Sequence, residues 1–455
     1  MNRESRIKKI EEVLKSPPFG NQEIPWQDQL VQMPVYKVPL EYLIYNKYNG
    51  RILSRTKSLE TQKYQIDAES EEGKILVEKL LWNTDVKRNT TTLKNIELYG
   101  QQKVGIITKD GIVIDGNRRV MLLNKIQKFD YFKTVILPVT LEENPLAIEK
   151  LETIYQMGED EKLSYNPIEK YLKTKGLLAK GIHKDKIAEW MGETEETVES
   201  YIDVMKIMDD YLEFFGYDGI YTQLDRREGQ LIDLTNWMKR YYGKESANGF
   251  DGYKDSDVDD LKSIGFDYIR ARFEGKNFRI IANGQKENHF FGNQDIWREF
   301  TNNHFEKIPR IQSKEMEIDY ESQNLQEHLN DRDSKYIDEA IDSLQENIDN
   351  CTEKLGYTKA ANEPGKLVDS AISAIGSINT KHEAFKNEDV LERVSELNKK
   401  TWELLNEDSV TELLSRIIEL LESVEIGSDE DEDILLTKVT QINKLSYELK
   451  KKLGG

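Results

Sequence analysis

Cysteine occurs once in the 455 residues, histidine five times and proline ten times. A lone thiol excludes a disulfide framework and any zinc site built on cysteine, and five scattered histidines leave little for a histidine-rich metal centre. No apolar run approaches the roughly 20 residues that a membrane helix needs. Residues 1–16 carry charges where a secretory signal needs its apolar stretch. A soluble protein of a reducing, cytoplasmic compartment is therefore expected, with no membrane partner. Positive charge is also short: 64 Lys and Arg stand against 84 Asp and Glu, a net charge of −20. That balance opposes broad, sequence-independent coating of DNA, while leaving room for a local basic site. What is present suffices for a core: 38% of residues are hydrophobic and 22 are Tyr, too many for a disordered chain. The length allows about two to four domains.

The local pattern predicts an α+β chain, with a small mixed block followed by helices. Residues 3–15 place Ile7, Ile10, Val13 and Leu14 on one side of a helix that Ser16-Pro17-Pro18 ends. A mixed block runs from about residue 35 to 141. It contains helices over 71–82 and 92–99, the second stopped by Gly100. Residues 104–107 read as a strand, Lys109-Asp110-Gly111 as a hairpin turn and 112–114 as the returning strand. Asp115-Gly116-Asn117-Arg118-Arg119 follows, then a helical pattern from Val120 and another strand over 134–139. From Pro145 to Tyr242 the pattern is helical. Ala188, Gly192 and Val198 have helix-turn-helix spacing: a small residue for close packing, a turn glycine and a buried residue on the second helix. Residues 243–256 read as a loop. Residues 268–281 alternate bases with aromatics and predict a strand pair.

The last third is helical. Ile337, Ile341, Leu344, Ile348, Cys351 and Leu355 step by four and three, an apolar heptad seam, and Val390, Val394, Leu397, Thr401 and Leu404 continue the habit. The expected division is an N-terminal arm (1–30), a mixed domain (31–145), a helical domain (146–245), a linker or mixed domain (246–330) and a C-terminal helical region (331–455). The seams have two readings, intramolecular packing or self-association.

The strand-turn-strand-helix unit carries the clearest chemistry. A strand ending in Asp115-Gly116 and feeding a helix exposes backbone amides, and the helix dipole favours an anion there. Arg118 and Arg119 add permanently charged forks that match phosphate oxygens. Gly116 permits the tight turn. The same residues also suit a plain helix cap with arginines on a solvated face, and spacing alone does not choose between the two.

The surroundings of this unit resemble the N-terminal domain of the ParB and sulfiredoxin superfamily. Leu98-Tyr99-Gly100-Gln101, the two short strands and Ile114-Asp115-Gly116-Asn117-Arg118-Arg119-Val120 carry the likeness. Val38-Pro39-Leu40 through Asn46 and Arg51 is similar to the first motif. Tyr165-Asn166-Pro167-Ile168-Glu169 is similar to the segment that opens the ParB helical domain. The resemblance covers about residues 35–210 and implies a nucleotide site using CTP or ATP with Mg²⁺. Arg51, Asp115, Gly116, Asn117, Arg118 and Arg119 would hold the nucleotide, and Glu159 and Asp160 the metal and any catalytic step. Asn117 stands where the family has glutamate, which leaves the base open. Sulfiredoxin chemistry is not implied, since Cys351 lies far from the loop.

The implied function is a nucleoside triphosphate-binding, and possible nucleoside triphosphatase, protein that acts with DNA, as a homodimer, in a setting such as phage defence or mobile-element maintenance. The second helix of the helix-turn-helix carries Glu193, Glu195, Glu196 and Glu199, which oppose a duplex. Arg270, Arg272, Lys276 and Arg279 are better candidates for DNA contact. Two alternatives stand: a metal-dependent nuclease cutting at Glu159 and Asp160, and a non-enzymatic scaffold that binds a protein partner.

Overall fold

The computed structural model describes residues 1–157, 166–315, 325–404, 410–424 and 432–452. It divides into two compact units, residues 1–362 and 363–455. The described residues mix helix and strand, with one six-stranded sheet and otherwise mostly helix, as an α+β chain would.

The helix α1 (Arg3–Leu14) is capped by the Asn2 side chain, which accepts from Ser5 N. A hairpin follows, β1 (Gly20–Trp26) and β2 (Gln29–Pro39), closed by Gln27 and Asp28, both at positive φ. After β3 (Ile44–Tyr45) come α2 (Leu53–Thr61), α3 (Glu71–Asn83) and α4 (Val86–Tyr99). The strands β4 (Gly105–Ile107) and β5 (Ile112–Asp115) lead into α5 (Asn117–Ile126), and β6 (Tyr131–Ile136) completes the sheet. Strand order is β1-β2-β6-β4-β5-β3. The β4–β6 and β5–β3 pairs are parallel and the others antiparallel.

Alternation along the strands separates the two sheet faces. Ile106 and Ile114 pack on one face with Ile24, Val35, Val135 and, from α6 (Pro145–Met157), Ile148 and Leu151. Ile107 and Val113, their neighbours in sequence, face the opposite way into a core shared with Ile10, Val77, Val120 and Leu123. The strand-turn-strand-helix unit is thereby anchored from both sides.

Helices α7 (Pro167–Ala179), α8 (Lys184–Met191) and α9 (Glu195–Phe214) follow. Gly192 turns α8 into α9 at φ +67°, and Ala188 and Val198 are buried in one cluster with Ile187, Trp190 and Met191. The helices α10 (Glu228–Tyr241), α11 (Asp255–Arg270), α12 (Gly275–Arg279), α13 (Gln294–Glu315) and α14 (Leu325–Gly376) come next. Residues of all five share a core with α7 and α9. The strand pair expected over 268–281 does not form. Residues 268–270 instead end α11, within a run buried without interruption from 264 to 271, and residues 275–279 form α12.

On α14, Leu344, Ile348, Cys351 and Leu355 are buried in that same core, with Ile337 and Ile341 packed at its edge. This part of the heptad seam is covered from within the chain. The second unit holds α15 (Glu388–Leu404), α16 (Val410–Glu422) and α17 (Glu432–Lys452). Val394, Ile417, Val439 and Ile442 are exposed there.

Candidate anion-binding site

The segment from β5 to α5 forms one wall of a cavity of about 670 Å³. Gly116 sits at φ +110°, and a Cβ there would lie 2.6 Å from Phe132 Cζ. Glycine is thus required by both the turn and the ring beneath it. Gly116 supplies no side-chain cap, so the positive end of the α5 dipole is left for another anion.

The two arginines that follow have different fates. Arg119 is paired with Asp115 at 2.6 Å and also donates to the Lys103 and Val104 carbonyls at 2.6 and 3.0 Å. Its guanidinium ties the α5 start to the segment entering β4. Arg118 instead donates through Nε to Asn89 Oδ1 and through Nη2 to Thr92 Oγ1 at 3.1 Å. Both acceptors are neutral. Burial and then the positive charges of Arg51 and Arg88 push the Arg118 guanidinium down to about 10, while Asp85 acts the other way. It remains charged at neutral pH, in surroundings that favour an incoming anion.

The cavity is lined by five cationic side chains, Arg51, Arg88, Lys103, Arg118 and Arg119. Asp115 is the one carboxylate among the described lining residues, and Arg119 already engages it. On a chain of net charge −20 this is a strongly positive enclave. Gln22, Gln102, Tyr155 and Gln156 also line it.

Asn117 does other work. Its Oδ1 accepts from Asn46 N at 2.9 Å and its Nδ2 donates to the Val113 carbonyl at 2.8 Å. The side chain braces the loop leading to Arg51, and Asn117 also lines the cavity. Two more braces hold that loop: Asn46 Nδ2 donates to Glu152 at 2.8 Å, and Gly50 N donates to Gln156 at 2.8 Å. Glu152 is buried beside Lys173 of α7. Burial, the largest influence, raises the Glu152 carboxyl even though Lys173 opposes it.

Past Arg51, the first turn of α2 is bound to α7. Ser54 donates to the Glu169 carboxylate through N at 2.9 Å and through Oγ at 2.5 Å. Glu169 is fully buried, and burial pushes it up to about 7. The Asn166-Pro167-Ile168-Glu169 motif is a helix start, with Asn166 accepting from Ile168 N. Its glutamate also links the helical region to the arginine loop, a role the spacing did not reveal.

Glu159 and Asp160 lie outside the described residues. Among the described residues no group of three His, Cys, Asp or Glu is placed to hold a metal ion.

The four DNA-contact candidates separate. Arg270 is fully buried, paired with Asp333 at 2.9 Å and stacked 4.2 Å over Tyr336, so its guanidinium does not reach a duplex in this fold. Arg272 donates to the Asp225 carbonyl at 2.6 Å, and Arg279 pairs with Asp233 at 2.8 Å. Lys276 is exposed. The neighbouring Arg227 is also buried on Asp333, at 2.7 Å.

Arg88 and Asn89 fall outside the helix expected over 92–99, whereas α4 begins at Val86; Thr92 lies within that expected helix, with nothing in the pattern to mark it as a site residue. The missed signal is Asp85, whose side chain caps α4 by accepting from Arg88 N. No protein-family model matches the chain, and a comparison with curated proteins finds no match.

Proposed function

We propose that the chain is a ParB-like nucleoside triphosphate-binding protein whose phosphates lie in the cavity beside Arg118. The single observation that carries this reading is Arg118 itself: a half-buried guanidinium among like charges, held by neutral acceptors, at an uncapped helix start. A half-buried cation whose described hydrogen-bond acceptors are both neutral gains from an anion beside it. The cavity volume falls in the range usual for small-molecule sites. Arg51, Arg88 and Lys103 supply further phosphate contacts. Asp115 and Arg119 keep the wall in place, and Asn117 fixes the loop that carries Arg51. Glu159 and Asp160 remain the candidates for holding Mg²⁺, which prefers carboxylate, water and phosphate oxygen.

On this reading the nucleotide acts through the braces between the arginine loop and α7, and so alters the helical region that follows. Action on DNA, as a dimer, belongs to the same proposal. Of the basic residues at 270–279, buried Arg270 drops out, and exposed Arg272, Lys276 and Arg279 are left to contribute. Calorimetry with ATP, GTP and CTP, each with Mg²⁺, tests the reading on the wild type and Arg118→Ala. At least one nucleotide should bind the wild type, and the variant should weaken it by about tenfold or more, on the order of 1.4 kcal/mol. Negligible heat for every nucleotide with both proteins would remove it.

A further inference from the structure

The acceptors that hold Arg118 have a common property: each is itself fixed by the backbone of α3 or α4. Asn89 is fully buried, and its Nδ2 donates to the carbonyls of Leu81 and Trp82 at 3.1 and 2.8 Å. With both amide hydrogens committed at the end of α3, Oδ1 is turned toward Arg118 Nε. A flipped amide would set its NH₂ against the guanidinium. Thr92 Oγ1 donates to the Arg88 carbonyl at 2.8 Å, which leaves a lone pair for Arg118 Nη2. The nearby acid, Asp85, is occupied at the α4 N-terminus, where it accepts from Arg88 N at 2.8 Å.

Neutral acceptors orient a cation without cancelling its charge. The contrast lies one residue away, where Asp115 orients Arg119 and neutralises it. We infer that Asn89 and Thr92 are positioning residues of the phosphate site, holding the Arg118 guanidinium in place while leaving its full charge to the ligand. This rests on the nucleotide reading of the cavity and adds α4 to it as an orienting wall. A carboxylate at position 89 would keep an acceptor near Nε but satisfy the arginine internally. An apolar group at position 92 would release one arm of the fork.

The test is titration of inorganic triphosphate and of ATP, GTP and CTP, at low and high salt, into the wild type, Arg118→Ala, Asn89→Asp, Thr92→Val and Thr92→Ser. Asn89→Asp should weaken binding by about tenfold or more and lower the salt dependence by roughly one charge. Thr92→Val, nearly isosteric, should weaken it by about threefold, the worth of one modest hydrogen bond. Thr92→Ser, which keeps the hydroxyl, should bind as the wild type does. A merely structural role would lower melting temperature and affinity together and leave the salt dependence unchanged. If Asn89→Asp does not fold, the Thr92→Val and Thr92→Ser pair decides. Arg118→Ala losing binding while Asn89→Asp and Thr92→Val both keep wild-type affinity and salt dependence would overturn this inference and leave the nucleotide reading standing. A wild type that binds no phosphate compound would remove both.

Discussion

Two stretches, 115–119 and 268–279, each hold closely spaced arginines, and the fold holds those arginines in opposite ways. In the first, Arg118 meets a neutral amide and a hydroxyl beside a cavity that Arg51, Arg88 and Lys103 also line. In the second, Arg270 is buried with Arg227 on a shared carboxylate, Asp333, which also accepts from Tyr217. The stacking of Arg270 on Tyr336 and Phe215 completes a strut inside the helical core. What separates Arg118 from Arg270 is the charge of the acceptor and whether a cavity opens beside the guanidinium. Composition carries neither.

The sharpest way to break this comparison is at Asp333. Asp333→Ala removes the carboxylate that two buried guanidinium groups share, and should destabilise the fold by about 3–5 kcal/mol in denaturant unfolding. A loss below about 1 kcal/mol would show that the strut is not structural.

The next test sets the neighbours Arg118 and Arg119 against each other. Arg119→Ala removes hydrogen bonds to two carbonyls and a half-buried carboxylate, and should cost about 1–3 kcal/mol. Arg118→Ala should cost less stability than Arg119→Ala, because its removal relieves repulsion from Arg51 and Arg88, while taking the larger loss in phosphate binding. Reversal of either ranking would undo the assignment of roles.

A smaller effect sharpens the link between the arginine loop and α7. Burial raises Glu169 from the usual 4.5 to about 7, so between those values the folded chain keeps a proton that the unfolded chain gives up. Its contribution to stability is therefore fully present below about pH 4.5, falls as pH rises toward 7 and levels off above. Glu169→Gln should flatten that part of the stability profile, measured by denaturant midpoints across the range. An unchanged difference between the two proteins at every pH would contradict it.

The smallest effect belongs to Arg279. It pairs with Asp233 at the surface, and Arg279→Ala should leave the melting temperature unchanged within measurement. A clear drop would mean that the second stretch is structural to its end.

Much of the first half of the chain was legible because its elements have one buried face. Helix α1, helix α3, the β4–β5 pair and the α8–α9 corner lie close to where periodicity and turn residues put them. The β1–β2 hairpin escaped because its turn is Gln27-Asp28, without glycine, and because most of β1 is exposed. Over 268–281 the alternation of bases with aromatics suggests strands, whereas the fold gives the buried end of α11 and the short helix α12, so the alternation does not track a sheet face. At the site, Gly116 and the arginine pair could be singled out from the sequence. The division of labour between Arg118 and Arg119 could not, since it depends on α4 and on a carbonyl edge 15 residues upstream of Arg119.

The order of residues alone determined that a glycine turn would deliver two arginines to a helix start, and that the last third would form helices with apolar seams. Hydrophobic periodicity and backbone preference are local, so they can be read locally. Tertiary structure alone decided which arginine keeps its charge, that Asn117 braces a loop, and that the seam at Leu344, Ile348, Cys351 and Leu355 closes on the chain's own core. Those outcomes turn on which groups meet across 29 residues between Asn89 and Arg118, or 63 between Arg270 and Asp333. Electrostatic energy depends on that spatial encounter and not on separation along the chain.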